Sequence, residues 1–200
     1  MYKLVSGITA GMVLVAGAIQ ADTWKVDPAH SSVNFSVKHM VISTVRGKFT
    51  SFEGEAIWNG KDFSAAAVTV TADAKSISTD NQKRDDHLRG SDFFAADSFL
   101  TVTFRSTVVS PAKDGKFTLT GDLTIRGVTK PVTFDAELTG TVEAWGSERA
   151  GFTAAATINR QDFGVSWSKA LDNGGLVVGN DVKITVEMEL TKPLVKVEGK

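Results

Sequence analysis

From Asp22 onward, apolar side chains recur at every second position, segment after segment, and few folds satisfy that pattern. Period-2 alternation marks strands with one face buried and one face wet. Val33, Phe35 and Val37 alternate with serine and asparagine, and Phe52, Ala56 and Trp58 share one parity. Val68 and Val70 follow, then Val102 and Phe104, then Phe117, Leu119, Leu123 and Ile125. Val132, Phe134, Ala136 and Leu138 come next, then Phe152, Ala154, Ala156 and Ile158. Val182, Ile184, Val186, Met188 and Leu190 complete eight candidate strands. Asn59-Gly60, Asp114-Gly115, Arg126-Gly127 and Asn173-Gly174-Gly175 separate them, and these residue types tolerate the backbone angles of tight turns. The expected fold is all-β: an eight-stranded antiparallel barrel, closed so that no sheet edge is left open. A sandwich satisfies the same alternation and stays as the competing architecture.

One polar segment, residues 79–90, breaks the rhythm; it opens on Thr-Asp and ends in glycine. It is expected to form a short helix in a long connection, with Ser91 capping a further turn toward Phe93 and Phe94. If the strands run up and down, the long connections at residues 40–46, 74–98 and 161–179 fall at one end. Loops of that length are commonly functional, so this end is taken as the mouth of the barrel. Inward parity then assigns a pore of Phe35, Val37, Val68, Val70, Val102, Phe104, Leu119, Leu123, Phe134, Phe152, Ala154, Ala156 and Ile158. His39 and Arg160 continue that parity to the mouth, and His87 lies on the helix there; these three form an expected polar rim. A polar rim over an apolar pore suits an amphiphile with a polar head and a long tail. Structural alternatives stand beside each assignment. His39 can bond a backbone carbonyl, Arg160 can pair with Asp162, and His87 can be simply solvated.

Composition removes several function classes. The net charge is −1 with no basic run, which disfavours a nucleic-acid surface. Cysteine is absent, which removes disulfides, a thiolate nucleophile and a cysteine metal site. The three histidines, His30, His39 and His87, have no metal-ligand spacing, so no metal is expected. No nucleophile elbow, phosphate loop or dinucleotide fingerprint occurs, so neither catalysis nor a cofactor is expected. Lys3, the apolar and small residues 4–18 and Ala21 read as a secretory signal over residues 1–21. Residues 22–200 then form one exported, periplasmic barrel domain with no membrane span after signal removal.

Six stretches together resemble the YceI-like family of exported, lipocalin-like barrels associated with polyisoprenoid binding. They are WKVDPAHSSVNFSVKHM, RGKFTSFEG, SISTDNQKRDDHLRGSDFF, TGDLTIRGVTKPVTF, WGSERAGFTA and INRQDFGV, in the family order. The chain departs from the family at Phe99-Leu100, where relatives often carry an aromatic-proline pair. The resemblance implies a lipocalin-like barrel holding an isoprenoid or quinone-like lipid, with no enzymatic activity. The expected partner is therefore an apolar lipid, with no nucleic acid and with self-association as a homodimer allowed.

The physics permits such a ligand. A ten-residue strand tilted ~40° gives a barrel roughly 25 Å tall, and eight strands enclose either a packed interior or one small ligand. Small residues at the inward positions Gly54, Ala56, Ala66, Gly121, Ala136, Ala154 and Ala156 are expected to leave room. A dozen buried carbons would contribute roughly 10 kcal/mol before ordering costs, enough for micromolar binding or tighter. A lipid carrier is therefore the first reading. Its rivals are an enzyme using His39 or His87 as acid/base, and an interaction module whose barrel is merely packed.

Overall fold

The computed structural model describes residues 21–170 and 175–194. Eleven strands form one sheet: β1 (Asp22–Val26), β2 (Ser32–His39), β3 (Ser43–Phe49), β4 (Phe52–Trp58), β5 (Ala67–Asp73), β6 (Ile77–Ser78), β7 (Thr101–Val109), β8 (Lys116–Ile125), β9 (Val128–Ala144), β10 (Ser147–Asn159) and β11 (Val178–Pro193). Three pairs of these are single lines broken by a kink. β1 and β2 both lie along β11, with Val26 opposite Leu190 and Ser32 opposite Glu187. β3 and β4 then follow beside β2 and β1, and β5 and β6 beside β4 and β3. Counted as lines, the sheet is an eight-stave antiparallel meander that closes where β1 meets β11.

The expected barrel is thus observed, with differences of detail that have physical causes. Residues 40–46 were expected to be a long connection, but only 40–42 turn and β3 begins at Ser43. The alternation is faint there because Gly47 occupies an inward position. A Cβ at Gly47 would meet Phe35 Cε1 at 2.8 Å, so glycine clears space for that ring. β1 lacks the repeated apolar letters of its neighbours, yet its Trp24 is only 1% exposed. Arg126-Gly127 and Trp145-Gly146 both have positive φ and close the β8–β9 and β9–β10 hairpins as two-residue turns. Residues 171–174, which include the expected Asn173-Gly174 turn, lie outside the described residues, as do residues 1–20 of the expected signal.

The helix forms as α1 (Gln82–Arg89), but its cap is Asn81, whose Oδ1 accepts from the Arg84 N–H at 3.0 Å. Thr79 is engaged elsewhere. Its N–H and hydroxyl both donate to the buried carboxylate of Asp85, at 2.8 and 2.5 Å. Arg84 donates to the Thr79 hydroxyl and carbonyl, and Arg89 to the Lys75 and Ile77 carbonyls. The polar run therefore clamps α1 onto the segment around β6, and it is not merely an exposed charged face.

The outer surface of β8 and β9 carries Thr118, Thr120, Asp122, Thr124, Thr133, Asp135 and Glu137, with Thr120–Thr133 and Thr124–Thr129 hydroxyl pairs at 2.8 Å. Such a face suits water. Among the described residues, no helix is long and apolar enough to cross a membrane.

Candidate functional site

Each stave turns its apolar face inward, and the interior divides along the barrel axis. The lower part is a plug of rings. Trp24 and Trp58 lie 5.0 Å apart, Trp58 and Phe63 5.2 Å, Phe63 and Phe117 4.9 Å, and Phe63 and Phe152 4.8 Å. The Trp24 indole N–H donates to the Trp58 carbonyl at 3.2 Å. Some of the small inward residues serve rings instead of leaving space, in the plug and above it, whereas Ala154 does line open space, so the expectation from sequence holds only in part. Ala56 is wholly buried in the same cluster as the two tryptophans. A Cβ at Gly121 would meet Phe104 Cζ at 2.5 Å.

Above the plug lies an apolar cavity of about 230 Å³. Its wall takes Phe35 and Val37 from β2, Val68 and Val70 from β5, and Val102 and Phe104 from β7. Leu119 and Leu123 of β8, Phe134 of β9, and Phe152, Ala154 and Ile158 of β10 continue it. Among the expected pore residues, Ala156 alone is absent from this wall. The β9–β10 ladder ends at Ala155 opposite Asp135, and Ala156 beyond it packs against the upper apolar cluster.

The long connections do gather at one end, but they fold inward as a cap. Leu88 of α1, Phe93, Phe94, Phe163 and Val165 all reach the cavity, and Phe163 is 2% exposed. No alternating pattern marks these cap residues. Phe93 and Phe94 were visible as an apolar pair beside the helix, whereas Phe163 and Val165 stood out only within the stretch INRQDFGV and showed no periodicity of their own.

The three expected rim residues do not meet. Arg160 stands on the cavity wall and is buried, at the start of a 3-10 turn (Arg160–Phe163). Its Nε donates to the Gly179 carbonyl at 2.9 Å and its Nη1 to the Val165 carbonyl at 2.5 Å. Its Nη2 reaches the Val178 carbonyl at 3.4 Å and Asn180 Oδ1 at 3.2 Å. No Asp162 pair forms: among the described residues this cation has no carboxylate partner. Burial pushes its pKa down, but a guanidinium remains charged. His39 ends β2 away from the wall, and its carbonyl accepts from Ser43 Oγ at 3.3 Å. His87 is exposed on α1, bonded to Asp92 at 2.8 Å and edge-on to Phe93 and Trp167.

A second polar cluster lies at the kink between β1 and β2, assembled from residues that no motif or spacing connects. His30 Nδ1 sits 2.9 Å from Asp27 Oδ2; that bond raises the pKa of His30 and lowers that of Asp27. Asp27, His30 and Glu189 stand close enough to hold a cation together. Arg149 occupies that role: its Nη1 lies 3.3 Å from Asp27 Oδ2 and bonds Glu189 as well.

Fold and interior together define a lipocalin-like barrel built around an apolar cavity. The YceI-like domain model matches residues 24–190, and the chain belongs to that family. A Staphylococcus aureus relative, UPF0312 protein SAS2572, is 39% identical over 167 residues, covering 82% of this chain and 95% of its own. The Campylobacter jejuni YCEI protein structure is 30% identical with a TM-score of 0.68, covering 78% of this chain and 90% of that one. A Saccharophagus degradans structure described as a polyisoprenoid binding domain shares the fold, at 14% identity and a TM-score of 0.62, over 85% of this chain and 98% of its own.

Proposed function

We propose that this protein is a periplasmic carrier of an isoprenoid-type amphiphilic lipid, with the chain in the cavity and the polar head beside Arg160. The observation that carries this reading is an apolar cavity walled by all eight staves that meets the buried Arg160 guanidinium, which has no carboxylate partner among the described residues. Four guanidinium N–H groups are engaged by the bonds to Gly179, Val165, Val178 and Asn180. That leaves one N–H, on Nη1, which this reading assigns to a phosphate, phenolate or carbonyl oxygen of the head group. A charge-assisted bond inside low-dielectric surroundings is worth more than the same bond in water.

Likeness to a domain described as polyisoprenoid binding supports the choice of ligand class. His39 and His87, which an enzymatic reading would use as acid and base, both stand off the cavity wall, and that favours carriage over turnover. Export rests on Lys3, the apolar run of residues 4–18 and Ala21. The test is to purify the protein from its own host, extract it with organic solvent and analyse the extract by mass spectrometry. A stoichiometric lipid with an isoprenoid chain is expected. A chain that carries none, and takes up none from isoprenoid quinones or prenyl phosphates, returns the barrel to a packed module.

A further inference from the structure

The turn between β2 and β3 presents Met40, Val41 and Ile42 to solvent, 39, 67 and 86% exposed. Three consecutive exposed apolar residues are rare on a water-facing loop, where turn chemistry favours glycine, asparagine and aspartate. The backbone makes them stranger still. Met40 and Val41 have φ of 51° and 68°, and a β-branched residue in that region is strained. A turn that keeps valine where glycine would relax it retains the side chain for something other than the turn.

The surroundings of this tip are basic. Outward parity places Lys38 on β2, Arg46 and Lys48 on β3 and Lys183 on β11, all exposed, with the exposed carboxylate of Asp181 also on that face of β11, so cations outnumber it there. Arg46 and Lys183 flank Ser36 in one row across three adjacent strands, and Lys38 lies one outward step nearer the tip. None of the four is ion-paired among the described residues. The opposite end of the barrel also has an apolar hairpin tip, with Val142 59% and Trp145 87% exposed. That tip is bordered by Glu143 and Glu148, and Arg149 lies over the Trp145 ring. Two apolar tips thus differ in the sign of the charge beside them.

The geometry points to the β2–β3 tip as a membrane-docking wedge, which inserts Val41 and Ile42 among the lipids of an anionic bilayer while Lys38, Arg46, Lys48 and Lys183 contact the headgroups. Apolar side chains in the interface with cations above them are the two ingredients of peripheral membrane binding. The wedge lies at the capped end, so docking would bring the cap, Arg160 and the cavity next to the lipid surface. The inference stands whichever molecule the cavity holds.

The chain has no cysteine, so Ile42→Cys and Val142→Cys each allow one environment-sensitive fluorophore to be placed, at either tip of the chain as recovered from its host. With phosphatidylethanolamine/phosphatidylglycerol vesicles, the label at position 42 should brighten, shift to the blue and be quenched by nitroxide lipids. The label at position 142 should not, and phosphatidylcholine vesicles should move neither. Replacing Lys38 and Arg46 by glutamine should weaken partitioning roughly tenfold or more, given the typical contribution of each cation near an anionic surface. Val41→Gly should leave the fold as stable as the parent or more so, and still reduce partitioning; a purely structural turn would show no such loss. The proposal is overturned if the label at position 42 ignores anionic vesicles, or if both labels respond alike. A signal at position 42 that follows protein concentration without vesicles also overturns it, and assigns the tip to a second copy of the chain.

Discussion

At the lower end of the barrel the staves close around stacked rings, while toward the cap the same staves stand around open apolar space. The sequence pattern is alike at both ends: apolar inward, threonine or charge outward. The contents differ. Below, Trp24, Trp58, Phe63, Phe117 and Phe152 interlock, and alanines such as Ala56 and Ala150 pack among them. Above, Val37, Val102, Ala154 and Ile184 line space that Phe93, Phe94 and Phe163 cover from the loops. A small residue in a barrel therefore means room only where no ring reaches across to it. The plug holds the staves together, and the cavity end is left free to accept a guest.

Removing a ring from the plug should have the largest effect. Trp24→Ala deletes a side chain that is 1% exposed along with its hydrogen bond to Trp58, and should destabilise by about 3–5 kcal/mol. Chemical denaturation would show it, and an unchanged midpoint would dissolve the distinction between the two ends. Next comes Arg160→Met, which keeps bulk at the cap but removes the donors to the Gly179, Val165 and Val178 carbonyls. A loss of about 1–3 kcal/mol is expected from the unpartnered carbonyls. Arg160→Lys should recover only part of it, because an ammonium cannot span that fan of acceptors. If lipid uptake falls by the same factor for charged and uncharged head groups, Arg160 is a structural staple alone.

The two ends separate most sharply when the same substitution is made in each. Ala56→Phe should strain the plug, costing about 1–3 kcal/mol. Ala154→Phe should leave the stability of delipidated protein within about 0.5 kcal/mol of the parent and weaken lipid uptake at least tenfold, since its ring enters ligand volume. Delipidation is essential, because bound lipid stabilises by mass action. Equal destabilisation at both positions would show that the upper end is as packed as the lower.

The smallest effect is electrostatic and belongs to the β1–β2 kink beside the plug. His30 is raised in pKa by Asp27, so its contribution is full at low pH and disappears as pH climbs through that raised value. Asp27 is lowered, so its contribution persists until pH falls through its own depressed value. Between the two the pair is charged on both sides, and stability should slope gently downward toward neutral and alkaline pH. NMR titration of the His30 ring should give a midpoint above the ordinary histidine value, and His30→Gln should flatten the slope. A normal midpoint would remove the pair from the account.

Much of the barrel was legible residue by residue. Leu119, Leu123, Phe134 and Ile158 could be placed inward from parity alone, because in a strand the side-chain period is two whatever the neighbouring strands do. β3 was hidden because Gly47 leaves its inward position to the ring of Phe35, a residue twelve positions earlier that becomes its neighbour only when β2 and β3 pair. His39, His87 and Arg160 share one end but not one site. Parity extrapolated past the end of a strand cannot foresee a 3-10 turn such as Arg160–Phe163.

The amino-acid sequence by itself determined most of the strands, the position of α1 and the apolar character of the interior, since these follow from local periodicity and turn chemistry; the closed meander, as against a sandwich, was decided by the pairing of β1 with β11. Only the tertiary structure decided which small residues sit under rings and which face a void, that the long loops fold in as a cap, and that Arg160 is held by carbonyls. It also brought Asp27, His30, Arg149 and Glu189 together. Those outcomes depend on which staves face each other across the barrel, and the distances between them are set by closing the sheet, not by any one segment.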